Sequence, residues 1–162
     1  MKTLPGLALA LLAGAALAAP PKHPPPVEGR VTQVVDGNTV VVTPAEGAPV
    51  RVRLAGVEAP LACQDWGTES RRALADLAQG HAVTVAQPQL GRDGVVTGAL
   101  MLDGQDLARR MVSEGHAWST RVKWDRGPFV KEERLAQALQ RGLHAVHGAQ
   151  RPADFRRQHG PC

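Results

Sequence analysis

The chain has no tyrosine, and its 2 phenylalanines and 3 tryptophans bring aromatic content to only 3%. Any stacking surface therefore rests on Trp66, Trp118 or Trp124. Its 2 cysteines, Cys63 and Cys162, fall short of the four ligands a structural zinc usually takes. The 6 histidines show no metal-ligand spacing beyond the isolated pair His144 and His147. There is no internal repeat. The longest apolar run, Leu4 to Leu17, is shorter than the roughly 20 residues of a spanning helix. Neither sign of charge dominates: the formal net charge of +4 permits an anionic partner without demanding one.

That apolar run follows Met1-Lys2 and closes on Ala16-Leu17-Ala18, the pattern of a cleaved export signal over residues 1–18. Residues 19–27, with the run PPKHPPPV, read as an extended linker. A folded domain is expected over 28–145 and a tail over 146–162. The expected setting is periplasmic or secreted, with no membrane contact after cleavage and a monomeric chain. Two cysteines in an exported chain favour a disulfide between Cys63 and Cys162 that ties the tail back. Closing a loop of roughly 100 residues is worth about 4–5 kcal/mol in the chain-entropy model. Arg151, Arg156 and Arg157, opposed only by Asp154, read as a solvated basic run.

Between these ends the pattern is strand-rich at first. Arg30–Val35, Thr39–Thr43 and Val50–Leu54 are β-branched runs joined by Asp36-Gly37-Asn38 and Ala45-Glu46-Gly47-Ala48, which are hairpin signals. Val50, Val52 and Leu54 alternate with Arg51 and Arg53, giving that strand one apolar and one basic face. A helix from Thr68 or Glu69 to Ala78 follows, then strands Ala82–Ala86 and Val95–Leu102 around a polar loop Gln87–Gly94. A short helix Asp106–Glu114 and an extended stretch His116–Lys123 precede a third helix from Pro128 to Arg141. Its expected buried stripe is Phe129, Leu135, Ala136 and Leu139. The sum is an α+β domain: a small five-stranded barrel of the oligonucleotide/oligosaccharide-binding type with three helices.

Several segments, in order and spacing, resemble the thermonuclease (staphylococcal-nuclease-like) family. They are Val35–Val40, Val52–Pro60, Trp66–Ser70, Leu102–Gly104, Gly115–Trp118 and Arg141–Leu143. Cys63-Gln64 and His159–Cys162 resemble an exported bacterial branch of it. The resemblance implies calcium-dependent phosphodiester hydrolysis, with two carboxylates on the metal, a third beside the attacking water, and two arginines on the phosphate. Carried over by position, the first metal carboxylate falls on Asn38 and the second on Glu58. The water-side carboxylate falls on Leu61. The phosphate arginines fall on Arg53, which is kept, and on Val95, with Arg92 a substitute if the loop is refolded. The family's stacking tyrosines fall on Arg121 and Lys123.

The catalytic pair is thus reduced to Arg53 and Glu58 and the metal ligands to Asn38 and Glu58. The expected protein keeps the scaffold and binds single-stranded nucleic acid or another polyanion through Arg53, Arg121, Lys123 and Trp124, with hydrolysis lost or strongly impaired. No cofactor is expected. The alternatives are an active calcium-dependent nuclease with altered ligands and a periplasmic protein-interaction domain. At the level of single residues, Arg53 and Glu58 suit an ion pair at a sheet edge, Asp36 and Asn38 suit any tight turn, and Trp66 and Trp118 suit the core.

Overall fold

The computed structural model describes residues 24–162. The expected signal and the linker as far as residue 23 lie outside the described residues. Strand β1 (Val27–Asp36) turns at Gly37-Asn38 into β2 (Thr39–Thr43), which is followed by β3 (Val50–Leu54) and a short β4 (Val57–Glu58). Helix α1 (Gly67–Ala78) leads to β5 (Ala82–Leu90), β6 (Val96–Leu102) and β7 (Gln105–Asp106). Helix α2 (Leu107–Ser113), β8 (Trp118–Ser119), α3 (Val130–Ala138), a 3-10 turn (Gly142–Ala145) and α4 (Pro152–His159) complete the chain.

The main sheet runs in the order β3-β2-β1-β5-β6-β7, and a parallel pairing of β3 with β6 closes it. Closure over five strands leaves no free edge between them. Two register shifts in β1, between Val31 and Gln33 and between Val34 and Asp36, bend that strand around the barrel. The alternation expected for β3 is present: Val52 and Leu54 are buried while Arg51 and Arg53 face out. Barrel residues such as Val31, Val40, Val52 and Leu100 meet Leu74 of α1 and Leu107 and Met111 of α2 in one core.

Three expectations are corrected. The segment Gln87–Gly94 is not all loop, because β5 continues to Leu90 through a bulge at Gln87, whose φ is 49°. Pairing of Gln89 with Thr97 and of Leu90 with Val96 holds this polar strand, and Pro88 lies in the bulge, where its missing N–H breaks no ladder bond. Helix α3 is shorter than expected and presents a different face. Phe129, Glu133 and Ala136, spaced by four and three, are buried, so Leu135 and Leu139 point away and are 52% and 54% exposed. Finally, the described residues hold four α-helices rather than three. The tail carries α4, which begins with Pro152 in its first turn and ends at Gly160.

The disulfide joins Cys63 to Cys162, with Cα atoms 5.7 Å apart. Protein kept oxidised and digested without reductant should yield a Cys63–Cys162 linked peptide and no free thiol by mass spectrometry. Two free thiols, or a dimer linked through Cys162, would contradict the link.

Candidate functional site

The β1–β2 turn is placed by a close approach. A Cβ on Gly37 would lie 1.9 Å from Ser70 Oγ and 2.7 Å from Ala59 Cβ, so only glycine lets the turn settle against α1. Ser70 Oγ in turn donates to His116 O at 2.7 Å, and Trp66 Nε1 donates to His116 Nδ1 at 3.2 Å. Burial pushes the His116 imidazole below its usual value, with Glu114 opposing, which keeps Nδ1 free to accept that bond. Trp66-Gly67-Thr68-Glu69-Ser70 and Gly115-His116-Ala117-Trp118 therefore act as a bracket for the turn. Trp118 is core, 6% exposed.

The bracketed turn holds Asp36 and Asn38 in place. Asp36 Oδ1 accepts from Asn38 N at 2.9 Å, an Asx turn. Asn38 Nδ2 donates to Val57 O at 3.3 Å, and Asn38 Oδ1 accepts from Thr39 Oγ1 at 3.0 Å. The Asn38 side chain thus stitches β2 to β4. Glu58, on β4 opposite Trp118 of β8, is half-buried. Pro60 is followed by Leu61, whose N donates to Gln64 Oε1 at 2.8 Å. Gln64 Nε2 then reaches Gln150 O at 3.1 Å, just before α4.

These residues line a cleft of about 760 Å³ that includes Asn38, Arg53, Glu58, Leu61, Thr97 and Arg156. The expected Arg53–Glu58 ion pair is not formed. Arg53 lies 3.5 Å from Asp93 Oδ2, with both side chains about half exposed, an arrangement worth little in water. Glu58 lies 3.6 Å from Arg151 instead. Arg151 also donates to Ser119 O at 2.9 Å and to Glu133 Oε1 at 2.6 Å, and its guanidinium sits 5.8 Å from the centre of the Trp118 ring. Burial pulls the Arg151 guanidinium below its usual value while Glu133 pushes it back up, and an arginine stays charged throughout.

Calcium takes six to eight oxygen ligands from carboxylates, carbonyls and waters, and the carboxylates among the lining residues of the cleft are Asp36 and Glu58, a donor set poor in charge for that ion. Asn38 is neutral and its amide is engaged on both sides, Glu58 already faces a guanidinium, and Leu61 is apolar. Among the described residues no group of three or more His, Cys, Asp and Glu is placed to hold a metal.

Residues 51–145 match the model of the SNase family, staphylococcal nuclease homologue. The chain belongs to the staphylococcal nuclease family. It is 31% identical to the micrococcal nuclease of Shigella flexneri over 140 residues, which cover 80% of each chain. It is 34% identical over 107 residues to the probable staphylococcal-like nuclease CAN3 of Oryza sativa subsp. japonica, covering 66% of this chain. An uncharacterized endonuclease of Escherichia coli is 38% identical over 93 residues, 57% of this chain and 60% of that protein. The chain spans only 28%, 29% and 41% of the lengths of three rice relatives it matches.

Within this family scaffold the sequence-derived residues separate into two groups. Asn38, Arg53, Glu58 and Leu61 meet in the cleft. Arg121, Lys123 and Trp124 are not among its lining residues. Arg121 lies 3.4 Å from Glu133, Lys123 has φ 55° in an exposed turn, and Trp124 is 97% exposed beside it. Arg92 is exposed in the turn from Gly91 to Gly94, and its neighbour Asp93 faces Arg53. Sequence reasoning missed Arg151, Pro152 and Arg156, which approach Glu58 or line the cleft although they lie near the far end of the chain. The only local signal for them was proline after Arg151, a helix start, ahead of the disulfide anchor at Cys162.

Proposed function

We propose that this chain binds the backbone of single-stranded nucleic acid in the cleft and has lost, or nearly lost, phosphodiester hydrolysis. The observation that carries this reading is the lining of the cleft. A half-exposed Arg53 stands beside Thr97 and Thr120 and is suited to a phosphate, while Leu61 and the engaged amide of Asn38 occupy the positions of two family carboxylates. Val95, at the second arginine position, cannot clamp a phosphate. The family membership and the micrococcal nuclease relative support nucleic acid as the ligand class. The disulfide supports action in an oxidising setting, periplasmic or secreted. Among the described residues no helix is long and apolar enough to cross a membrane.

Thr120 lines the cleft, and the exposed turn that carries Trp124 follows it directly in the chain. A strand leaving the cleft along that path would stack a base on Trp124, flanked by Lys123 and Arg126. Fluorescence anisotropy of a labelled single-stranded DNA oligonucleotide tests the reading. Affinity should fall with salt with a slope of about −0.7 per phosphate contact. Arg53→Gln should weaken binding at every salt concentration. Trp124→Ala should cost about 1–3 kcal/mol. Absence of binding at low salt would overturn the reading in favour of a protein-interaction domain. An unchanged affinity for Trp124→Ala would place the strand on another path.

A further inference from the structure

The C-terminal helix is held at both ends. Before its first turn, Gln150 O accepts from Gln64 and Arg151 binds Ser119 O, Glu133 and Glu58. Beyond its last turn, Cys162 is bonded to Cys63. Pro152 and Arg156, four residues apart and so on one face of α4, both line the cleft that contains Arg53. Arg151 itself is committed to two carboxylates and a carbonyl, and its side chain is only 17% exposed. Arg157 pairs with Asp154. Arg156 is exposed and takes part in none of the ion pairs among the described residues. One cation of the basic run is thus fixed at the cleft by anchors on either side of it and has no protein carboxylate to neutralise it. The barrel contributes Arg53 to the same cleft, and Val95 contributes no charge.

We propose that Arg156 is a phosphate-binding residue of this site, acting with Arg53 on the backbone of a single-stranded nucleic acid, so that α4 forms one wall of the ligand site. This rests on the nucleic-acid-binding reading given above and adds a second contact from outside the barrel. A guanidinium is suited to the role because its planar fork donates two parallel hydrogen bonds to phosphate oxygens, and because phosphate supplies the anion that the protein does not.

The test uses the full disulfide-bonded chain and a labelled single-stranded DNA oligonucleotide, with anisotropy titrations over a range of salt. Arg156→Gln should weaken binding about tenfold or more at low salt, the scale of one charged hydrogen bond. It should also flatten the plot of log affinity against log salt by about 0.7, the loss of one phosphate contact. Arg156→Lys should retain the slope and recover part of the affinity. Because Arg156 is exposed, the melting temperature of Arg156→Gln should match that of the unsubstituted chain, so a loss of binding is not a loss of folding. If Arg53→Gln weakens binding but Arg156→Gln changes neither affinity nor slope, this inference is overturned and the cleft remains a one-arginine site. If neither substitution matters, or the unsubstituted chain does not bind, the parent reading is overturned as well.

Discussion

The purified chain should leave single- and double-stranded DNA uncut over hours, with or without added calcium, and a four-residue variant should cut it. That variant carries Asn38→Asp, Glu58→Asp, Leu61→Glu and Val95→Arg. Electrostatic contacts of the kind missing here are each worth about 2.7–4 kcal/mol of transition-state stabilisation. Such effects are not additive within one site, yet together they amount to orders of magnitude in rate. The geometry explains why single restorations should do little. Asn38→Asp alone replaces an amide that donates to Val57 O at 3.3 Å with a carboxylate that faces the same carbonyl. Two acceptors at that separation repel unless a cation sits between or beside them. Glu58→Asp alone shortens a side chain that already faces Arg151 at 3.6 Å. Only the full set supplies charge for the ion, a carboxylate for the water and a second clamp for the phosphate. A second readout is independent of turnover: calcium should raise the melting temperature of the four-residue variant by binding its native state and leave that of the unsubstituted chain unmoved. Arg53→Ala in the restored protein should abolish cleavage. If the unsubstituted chain already cleaves DNA, and Arg53→Ala or Glu58→Ala removes the activity, loss of hydrolysis is wrong. Asp93, 3.5 Å from Arg53, would then be the first ligand to test.

What was legible beforehand was local. Alternation in Val50–Leu54 and the Asx-Gly turn at Asp36–Asn38 specify their own conformations, so these strands followed from short stretches of chain, whereas Asn38, Glu58 and Leu61, which line one cleft with Arg53, were singled out by the family resemblance. What was not legible depended on a distant partner. The polar end of β5 is a strand because β6 pairs with it, although Pro88 and its neighbours carry no alternation. Glu133 reads as a surface residue and is 1% exposed, because Arg151 comes to it from elsewhere in the chain and makes burying the charge tolerable. That one exchange turned the face of α3 and exposed Leu135 and Leu139. The basic run near Cys162 has no periodic apolar face, so its helix and its place at the cleft depend on Arg151 and the disulfide. Arg121, Lys123 and Trp124 cluster in sequence for the opposite reason. They share one exposed turn, and nearness in sequence did not bring them into the cleft.

Arg151→Met should be among the most destabilising single substitutions in the chain. The side chain is 17% exposed and lies 2.6 Å from Glu133, which is 2% exposed at its side chain, and 3.6 Å from Glu58. Glu133 Oε2 is buried and lacks a hydrogen-bond partner, so Oε1 carries all of its compensation. Removing one partner of a buried pair leaves an uncompensated charge and typically costs about 3–5 kcal/mol. Arg121 remains 3.4 Å from Glu133, but half exposed, so it offsets little and places the expectation toward the lower end, about 3 kcal/mol. In a domain of this size that is a fall of roughly 10 °C in melting temperature. The diagnostic comparison is the double variant Arg151→Met, Glu133→Met. With both charges gone, no fully buried charge is left unpaired, though Ser119 O loses its Arg151 donor and Glu58 its guanidinium, and a hydrophobic replacement of a buried pair is often neutral or better. The double variant should therefore recover most of the loss, and a double-mutant cycle should return a large coupling energy between the two positions. Arg151→Lys should fall between, because it keeps the charge but cannot reach Ser119 O and Glu133 with one planar fork. A loss below about 1 kcal/mol for Arg151→Met, the scale of an exposed pair, would mean that α4 is held by the disulfide and the Gln64–Gln150 hydrogen bond rather than by Arg151.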